Sequence, residues 1–328
     1  MEKINLGIIG LGYVGQIHLR NSFKLEQARV LAVSDVSRRA LLKAEKMGVK
    51  KLYSHYEDLL KNSEIDGVII ALPTHLHLEC TKRAAEEKKH VFLEKPIARN
   101  VEEAKEIVSV ASKNGTKLMM GYPLRFNTGF CKLREKIRQK TIGDVEVAYA
   151  TFISSGPFFH RDEGYAPVPV PEWWFNKKLT GGGALVDLGS HLLDLLRWYF
   201  GEVSDIRASF GHRFNMDVED SAICLAKFST GTRAIINVGW FCQGYQLKVD
   251  LLGTVGCAGF EHAPSSAVRT VAQLLATGTA RFYHPHQSEL QYFVNCLIKD
   301  TLPTPNGQDG LRDIETISQA YKNEIQLK

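Results

Sequence analysis

Residues 4–15 read Ile-Asn-Leu-Gly-Ile-Ile-Gly-Leu-Gly-Tyr-Val-Gly, and this stretch decides the fold of the first part of the chain. The apolar run Leu6–Ile9 leads into the pattern Gly10-x-Gly12-x-x-Gly15, which is typical of a strand, a tight turn and a helix. The first glycine permits the turn, the second lets the backbone approach a pyrophosphate, and the third lets the helix pack closely on the strand. The pattern therefore predicts a dinucleotide site at a helix N-terminus, where unpaired N–H groups favour an anion.

An acidic residue follows where a ribose-binding carboxylate is expected. The second apolar run covers residues 29–33, and Asp35 stands twenty residues after Gly15. A carboxylate there accepts hydrogen bonds from ribose hydroxyls and repels a 2′-phosphate, which favours NAD over NADP. Arg38 and Arg39 come just beyond and are able to hold that phosphate instead, so NADP stays open as the alternative.

Length and composition predict a two-domain protein of the cytoplasm. The 328 residues suffice for two domains of ordinary size, and 44% hydrophobic residues support a sizeable core. No apolar stretch approaches the ~20 residues of a membrane span, and the N-terminal strand leaves no place for a signal peptide. The six cysteines are scattered without a Cys-x-x-Cys pair, which favours reduced thiols and a cytoplasmic location.

The sequence gives no strong signal for a nucleic acid, a membrane or a metal. The net charge of +5 is a mild excess, and the basic residues of 132–140 recur at helical spacing without interleaved aromatics, as on a solvated helix face. His75 and His77, like His284 and His286, are close in sequence, but no further ligand completes a metal-binding spacing. We therefore expect no metal, no nucleic acid and no membrane as partners, and a small-molecule substrate.

The first 122 residues alternate apolar runs with helical patterns, which predicts parallel strands joined by crossover helices. We assign residues 1–122 to a dinucleotide-binding α/β Rossmann domain. The predicted strands are Leu6–Ile9, Val30–Ser34, Gly67–Ala71, His90–Leu93 and Lys117–Met120, and the predicted helices are Ile17–Phe23, Arg38–Lys46, Tyr56–Lys61, Leu78–Glu87 and Val101–Asn114.

Long β-rich runs without alternating helices follow, so residues 123–328 predict an α+β domain for substrate binding and oligomerisation. Its sheet is expected to be open and mostly antiparallel, with the helix Gly189–Phe200 on one face. The other face of so large a sheet also needs covering, which predicts a homodimer or homotetramer packed through it. The predicted strands are Asp144–Ser154, Val203–His212, Ser221–Phe228, Thr232–Phe241 and Gln246–Leu252.

The tripeptide Glu94-Lys95-Pro96 directly follows an apolar run. It stands at the carboxyl end of a predicted parallel strand, where open α/β sheets bind ligands. A lysine there is able to reach a cofactor and a substrate hydroxyl. The alternative is an ordinary solvated strand end.

A second motif, residues 181–194, reads Gly-Gly-Gly-Ala-Leu-Val-Asp-Leu-Gly-Ser-His-Leu-Leu-Asp. A run of glycines lets backbone pass close to a ligand. Asp187 and His191 are four residues apart, which makes them neighbours on one helix face. A carboxylate beside an imidazole fixes its tautomer and stabilises its protonated form, as a general base requires. The alternative is a capping aspartate and a core histidine.

These motifs, in this order, resemble the Gfo/Idh/MocA oxidoreductases, named after glucose–fructose oxidoreductase and inositol dehydrogenase. The resemblance covers essentially the whole chain. It implies an NAD(P)-dependent enzyme that transfers a hydride between nicotinamide and a secondary hydroxyl of a sugar, cyclitol or nucleotide sugar. A narrower alternative is a UDP-N-acetylhexosamine 3-dehydrogenase. An alternative of another class is a dinucleotide-binding sensor without turnover.

The resemblance also implies roles for single residues. Lys95 contacts the nicotinamide ribose and the substrate, His191 takes the hydroxyl proton, and Asp187 assists it. With the glycine fingerprint, the cofactor-binding residues become Gly10, Leu11, Gly12, Tyr13, Val14, Gly15, Asp35, Arg38, Pro73, Thr74, His77, Glu94 and Lys95. The substrate-binding residues become Tyr122, Arg125, Trp174, Asp187 and His191.

One stretch departs from the family pattern. An arginine that the family often places after a tryptophan, ahead of the three glycines, is absent from Trp173-Trp174-Phe175-Asn176. This puts in doubt any substrate whose recognition needs that arginine. The aromatic pair either stacks on a sugar face or packs within the ordered loop that we expect over residues 155–180.

Overall fold

A computed structural model describes residues 3–158, 171–242, 245–262 and 285–326. The chain divides into two compact units. The first comprises Met1–Pro123, Lys178–Gly181 and Pro285–Ser318, and the second comprises Leu124–Lys177, Gly182–His284 and Gln319–Lys328. The sequence-based division at residue 122 did not place residues 178–181 and 285–318 in the first unit. Among the described helices, none is long and apolar enough to cross a bilayer.

The first unit is built on a six-stranded, all-parallel sheet. Its strand order is β3-β2-β1-β4-β5-β6, so the direction of winding changes beside β1, the point where open α/β sheets bind ligands. The strands are β1 (Ile4–Ile9), β2 (Ala28–Ser34), β3 (Lys51–Tyr53), β4 (Gly67–Ile70), β5 (His90–Glu94) and β6 (Leu118–Gly121). The first five helices are α1 (Tyr13–Ser22), α2 (Arg38–Lys46), α3 (Tyr56–Leu60), α4 (His77–Glu86) and α5 (Val101–Lys113).

The second unit contains a six-stranded mixed sheet in the order β12-β11-β7-β10-β9-β8. Only β7 and β10 pair in parallel, and the other neighbours are antiparallel. This confirms the predicted fold class. The strands are β7 (Val145–Ile153), β8 (Val203–Gly211), β9 (Ser221–Phe228), β10 (Arg233–Gly239), β11 (Gln246–Gly253) and β12 (Cys257–His262), and the next helices are α6 (Thr128–Arg138), α7 (Lys177–Thr180) and α8 (Ser190–Phe200).

The two faces of this second sheet differ in burial. Ala148, Ala234 and Ala226 lie in register across β7, β10 and β9 and are buried. The next residues along these strands point to the opposite face. There, Tyr149 of β7 and Leu225 of β9 lie in register on either side of Ile235, and they are 43% and 52% exposed. The apolar outer face is the surface through which assembly is predicted, and that assembly stays a prediction.

Two C-terminal helices, which the sequence analysis did not assign, complete the described chain: α9 (Pro285–Ile298) and α10 (Gly307–Lys322). Helix α9 belongs to the first unit and packs against α1. Its buried side chains include Leu290, Phe293 and Val294, and Phe293 meets Phe92 of β5 edge to face. This packing brings polar residues of α9 to the carboxyl end of β5.

Candidate cofactor and active site

The three fingerprint glycines have three different surroundings. Gly10 has a φ of +89°, and a Cβ there would lie 2.4 Å from the Ala71 carbonyl oxygen. A Cβ on Gly15 would lie 2.0 Å from the Gly10 carbonyl oxygen, so helix α1 must approach the turn closely. A Cβ on Gly12, by contrast, would meet no neighbouring atom within 4 Å. The loop is therefore tight on both sides and open at its centre, which fits a pyrophosphate.

Asp35 ties this loop to the start of α2. Its Oδ2 accepts a hydrogen bond from the Leu11 N–H at 2.6 Å, and its Oδ1 accepts one from the Ser37 N–H at 2.7 Å. A carboxylate oxygen has two acceptor directions, so capacity for ribose hydroxyls remains. Arg38 follows, exposed, in the first turn of α2. The cofactor roles of Asp35 and Arg38 stay predictions.

The loop after β4 contains Pro73, Thr74 and His77. The buried His77 ring has Nε2 at 2.9 Å from the Leu72 carbonyl oxygen and Nδ1 at 2.9 Å from the Pro96 carbonyl oxygen. Burial lowers the pKa of His77, against the opposing influence of these carbonyls. Both ring nitrogens of His77 thus lie against backbone carbonyls, and its expected cofactor contact stays a prediction.

Glu94, at the end of β5, faces the protein interior. Its Oε1 lies 2.5 Å from Nε2 of the fully buried His18, and its Oε2 accepts a hydrogen bond from the Lys95 N–H at 3.1 Å. Burial alone would raise the pKa of Glu94, but the hydrogen bond and charge of His18 outweigh it and hold the pKa below its usual value. The Glu94 carboxylate thus supports the backbone of Lys95, and the expected cofactor contact of Glu94 stays a prediction.

Helix α9 adds a second acid–base pair beside this one. His286 Nδ1 lies 2.8 Å from Glu289 Oε1, and Glu289 is fully buried. Burial first, and then the negative charge of Glu94, raise the pKa of Glu289 well above its usual value, while burial lowers the pKa of His286. A neutral Glu289 carboxyl that donates a hydrogen bond to a neutral His286 imidazole is consistent with the directions of both pKa shifts. We call His18, Glu94, His286 and Glu289 the buried cluster.

Two histidines and two carboxylates are also metal ligand types, and one ligand atom from each lies within 4.8 Å of the others. Around a zinc ion bonded at ~2.0–2.2 Å, however, ligand atoms stand roughly 3.3 Å apart. The 2.5 Å contact between His18 and Glu94 is far shorter. The buried cluster is thus arranged as two hydrogen-bonded pairs. The sequence does not reveal the buried cluster, because its members are distant along the chain. His284, which is close to His286 in sequence, lies outside the described residues.

The three glycines of residues 181–183 approach protein groups. A Cβ on Gly183 would lie 1.9 Å from the Glu219 carbonyl oxygen, and one on Gly182 would lie 2.1 Å from the Tyr321 hydroxyl. The buried Glu219 carboxylate accepts hydrogen bonds from the Gly183 and Leu185 N–H groups, each at 3.0 Å, and from Tyr321 at 2.7 Å. The expected close approach of a ligand is therefore corrected: Gly183 makes room for Glu219, Gly182 for Tyr321, and Gly181 for the Arg99 backbone, whose carbonyl oxygen would lie 2.5 Å from an added Cβ.

Asp187 and His191 lie on one continuous helical segment. Residues Leu185–Gly189 form a π-helical turn that runs directly into α8, a feature that is frequent at functional sites. The Asp187 N–H donates to the Gly183 carbonyl at 2.9 Å, and Asp187 Oδ2 accepts a hydrogen bond from Trp240 Nε1 at 3.1 Å. The ring of Phe152 lies 5.9 Å from that of His191. Within the second unit, Trp240 thus contacts Asp187, and Phe152 lies beside His191.

Arg125 has a different partner from the one expected. Its guanidinium donates two hydrogen bonds, at 2.8 and 2.6 Å, to the carboxylate of Asp194, and both side chains are buried. Arg125 thus belongs to a buried ion pair, and its expected substrate contact stays a prediction. Tyr122 is also buried, whereas Trp174 is half-buried and packs near Trp240 at 6.4 Å between rings. A substrate contact of Trp174 stays a prediction.

Two family descriptions match the chain in succession. The GFO/IDH/MocA description "Oxidoreductase family, NAD-binding Rossmann fold" matches residues 4–122, and the GFO/IDH/MocA C-terminal domain matches residues 130–258. The chain belongs to the GFO/IDH/MocA oxidoreductase family. This membership confirms the resemblance and makes the protein an oxidoreductase with an NAD-binding Rossmann unit.

Several relatives of this GFO/IDH/MocA member match over most of their length. The myo-inositol 2-dehydrogenase of Thermotoga maritima is 27% identical, covering 94% of this chain and 92% of the relative. The rhizopine catabolism protein MocA of Rhizobium meliloti is 29% identical, covering 79% and 78%. The crystal structure of a probable dehydrogenase from Thermotoga maritima superposes with a TM-score of 0.82 at 25% identity, covering 98% and 96%.

Proposed function

We propose that the protein is an NAD-dependent dehydrogenase that oxidises a secondary hydroxyl of a cyclitol or sugar. The observation that carries this proposal is the placement of Asp187 on a π-helical turn and of His191 in the adjoining first turn of α8, in a chain whose glycine fingerprint is open at Gly12. The relative named myo-inositol 2-dehydrogenase supports a cyclitol as the first substrate to test.

Residues of the first unit bind and orient the cofactor in this proposal. The loop Gly10–Gly15 holds the pyrophosphate, since its centre is open at Gly12 and it lies at the N-terminus of α1. Asp35 accepts hydrogen bonds from a ribose, while Pro73 and Thr74 border the nicotinamide. When bound, NAD supplies the acceptor for a hydride.

Proton transfer is assigned to the second unit. His191 takes the proton of the substrate hydroxyl, and Asp187 orients the imidazole and stabilises its charge. Lys95, of the first unit, donates a hydrogen bond to the substrate oxygen and stabilises its developing negative charge. General-base assistance of this kind contributes typically about 10²–10⁴-fold in rate.

Appearance of NADH, followed by its near-ultraviolet absorbance, tests the proposal on myo-inositol, scyllo-inositol, aldoses and UDP-N-acetylglucosamine. We expect turnover with a cyclitol or sugar. Lys95→Ala and His191→Ala should each lower kcat by about 10²-fold or more, and His191→Ala should leave the Kd of NAD within about twofold. Tyr199→Phe, which removes a buried hydrogen bond to the Phe130 carbonyl, is the matched control and should keep turnover.

The same panel separates the alternatives. Turnover confined to the UDP-sugar would select the narrower UDP-N-acetylhexosamine 3-dehydrogenase, which the aromatic pair Trp173 and Trp174, 5.4 Å apart, also supports as a stacking surface. No turnover with any compound, together with NAD binding, would favour the sensor. Full activity of either alanine variant would remove the role assigned to that residue.

We further propose that the protein assembles as a homodimer or homotetramer through the outer face of the second unit's sheet. The exposed, in-register Tyr149 and Leu225 support this proposal, because large apolar patches on an open sheet mark interaction surfaces.

A further inference from the structure

Trp240 makes a hydrogen bond that the family resemblance does not assign. It directly follows β10, is 2% exposed, and its indole Nε1 donates to Asp187 Oδ2 at 3.1 Å. The two residues are 53 positions apart in sequence. An indole N–H only donates, so it pairs with the carboxylate and cannot exchange a proton with it.

The indole ring itself is held in place. Gly156 has a φ of +53°, and a Cβ there would lie 2.2 Å from Trp240 Cγ, so only glycine lets this backbone pack against the ring. The Trp240 N–H donates to the Asp220 carbonyl at 2.8 Å. Trp174 packs edge to face at 6.4 Å. The donor is thereby fixed before any substrate binds.

We propose that Trp240 is a positioning residue: its N–H fixes the rotation of the Asp187 carboxylate, so that Asp187 presents a constant acceptor to the general base His191. This inference rests on the proposed function. A carboxylate on a π-helical turn has a fixed backbone, because the Asp187 N–H is bonded to Gly183, but its side-chain torsion is set only by side-chain partners. A catalytic group must be held close to its productive geometry, because its displacement lowers kcat more than it lowers the affinity for substrate.

Trp240→Phe tests the proposal, because it keeps an aromatic ring and removes the N–H together with part of the bulk of the indole. We expect kcat to fall about 10- to 100-fold, as for the loss of a hydrogen bond to a charged group, with the KM of NAD within about twofold of the wild-type value. Tyr199→Phe again serves as the control for loss of one buried aromatic hydrogen bond. Trp240→Tyr replaces Trp240→Phe if the latter does not fold.

The same change in an Asp187→Asn background separates positioning from general structure. Single-turnover rates at high enzyme concentration measure the residual activity there. If Trp240 acts through Asp187, Trp240→Phe should lower that residual rate by less than about threefold. An equal loss in both backgrounds, or a Trp240→Phe enzyme within about twofold of wild type while Asp187→Asn is inactive, would overturn the inference alone. Wild-type turnover by Asp187→Asn would overturn the proposed role of Asp187 and the inference together.

Discussion

Replacing Glu289 by glutamine should stabilise the protein, and the gain should grow with pH. Glu289 is fully buried beside Glu94, and its pKa is raised well above the usual value of 4.5. The folded chain therefore keeps a proton on Glu289 at pH values where the unfolded chain has released it. Since the folded state then binds more protons, the free energy of unfolding of the wild type falls as pH rises through this window.

The size of the effect follows from proton linkage. Each pH unit between the unfolded and folded pKa values costs the wild type about 1.4 kcal/mol, which glutamine avoids because it carries no titrating proton. Its amide is able to replace the neutral carboxyl as a hydrogen-bond partner of His286 Nδ1. In a unit of this size, the Tm difference should widen by about 3–6 °C per pH unit. Thermal unfolding of both proteins without added cofactor, between about pH 5 and about pH 8, measures it.

The neighbouring Glu94→Gln is the matched control, with the opposite sign. The pKa of Glu94 is lowered, so its stabilising contribution is present above 4.5 and is lost only as pH falls through the folded value. Glu94→Gln should therefore lower the Tm at neutral pH by unpairing His18. A Glu289→Gln protein that is less stable than wild type at every pH, by a constant amount, would refute the assignment of the proton to Glu289.

Three further predictions concern the fingerprint, the buried ion pair and the outer sheet face. The Gly12→Ala protein should keep the wild-type Tm, but its Kd for NAD should rise at least about tenfold, because the new Cβ occupies the open space expected to hold the pyrophosphate. Gly15→Ala should instead lower the Tm, because its Cβ clashes with the backbone. Asp194→Ala should cost about 3–5 kcal/mol in denaturant unfolding, since it removes the carboxylate that pairs with the buried Arg125, and an unchanged midpoint would contradict this. Leu225→Glu should lower the mass in light scattering, and an unchanged mass would exclude that face.

Local patterns in the sequence predicted most of the strands. Period-two alternation in β9, from Ser221 to Phe228, and the glycine fingerprint after β1 each determine their structure within a few residues. Strand β3 was not predicted, because three half-buried residues are too few to show an alternation of apolar and polar side chains. The start of α1 was placed four residues late because glycine and tyrosine at its N-terminus resemble loop.

Contacts between distant segments explain the remaining differences. The sequence shows Glu94, His18 and Glu289 as separate polar residues, and only the packing of α9 on α1 makes them one buried cluster. Likewise, the sequence does not show that Arg125 pairs with Asp194, which lies 69 positions further along the chain. The spacing of Asp187 and His191 predicted correctly that they share one helical segment, but it did not predict the π-helical turn at Asp187, and their catalytic roles stay predictions.

The most direct test of the proposed reaction follows the transferred hydrogen itself. The enzyme is incubated with NAD and with substrates of the panel that carry deuterium on the carbon bearing the hydroxyl. The mass of the nicotinamide product is then measured by mass spectrometry. We predict one deuterium in NADH for the wild type with a cyclitol or sugar, and a rate of labelling about 10²-fold or more lower for His191→Ala. Oxidation of the substrate without deuterium in the nicotinamide, or equal labelling by His191→Ala, would contradict the account.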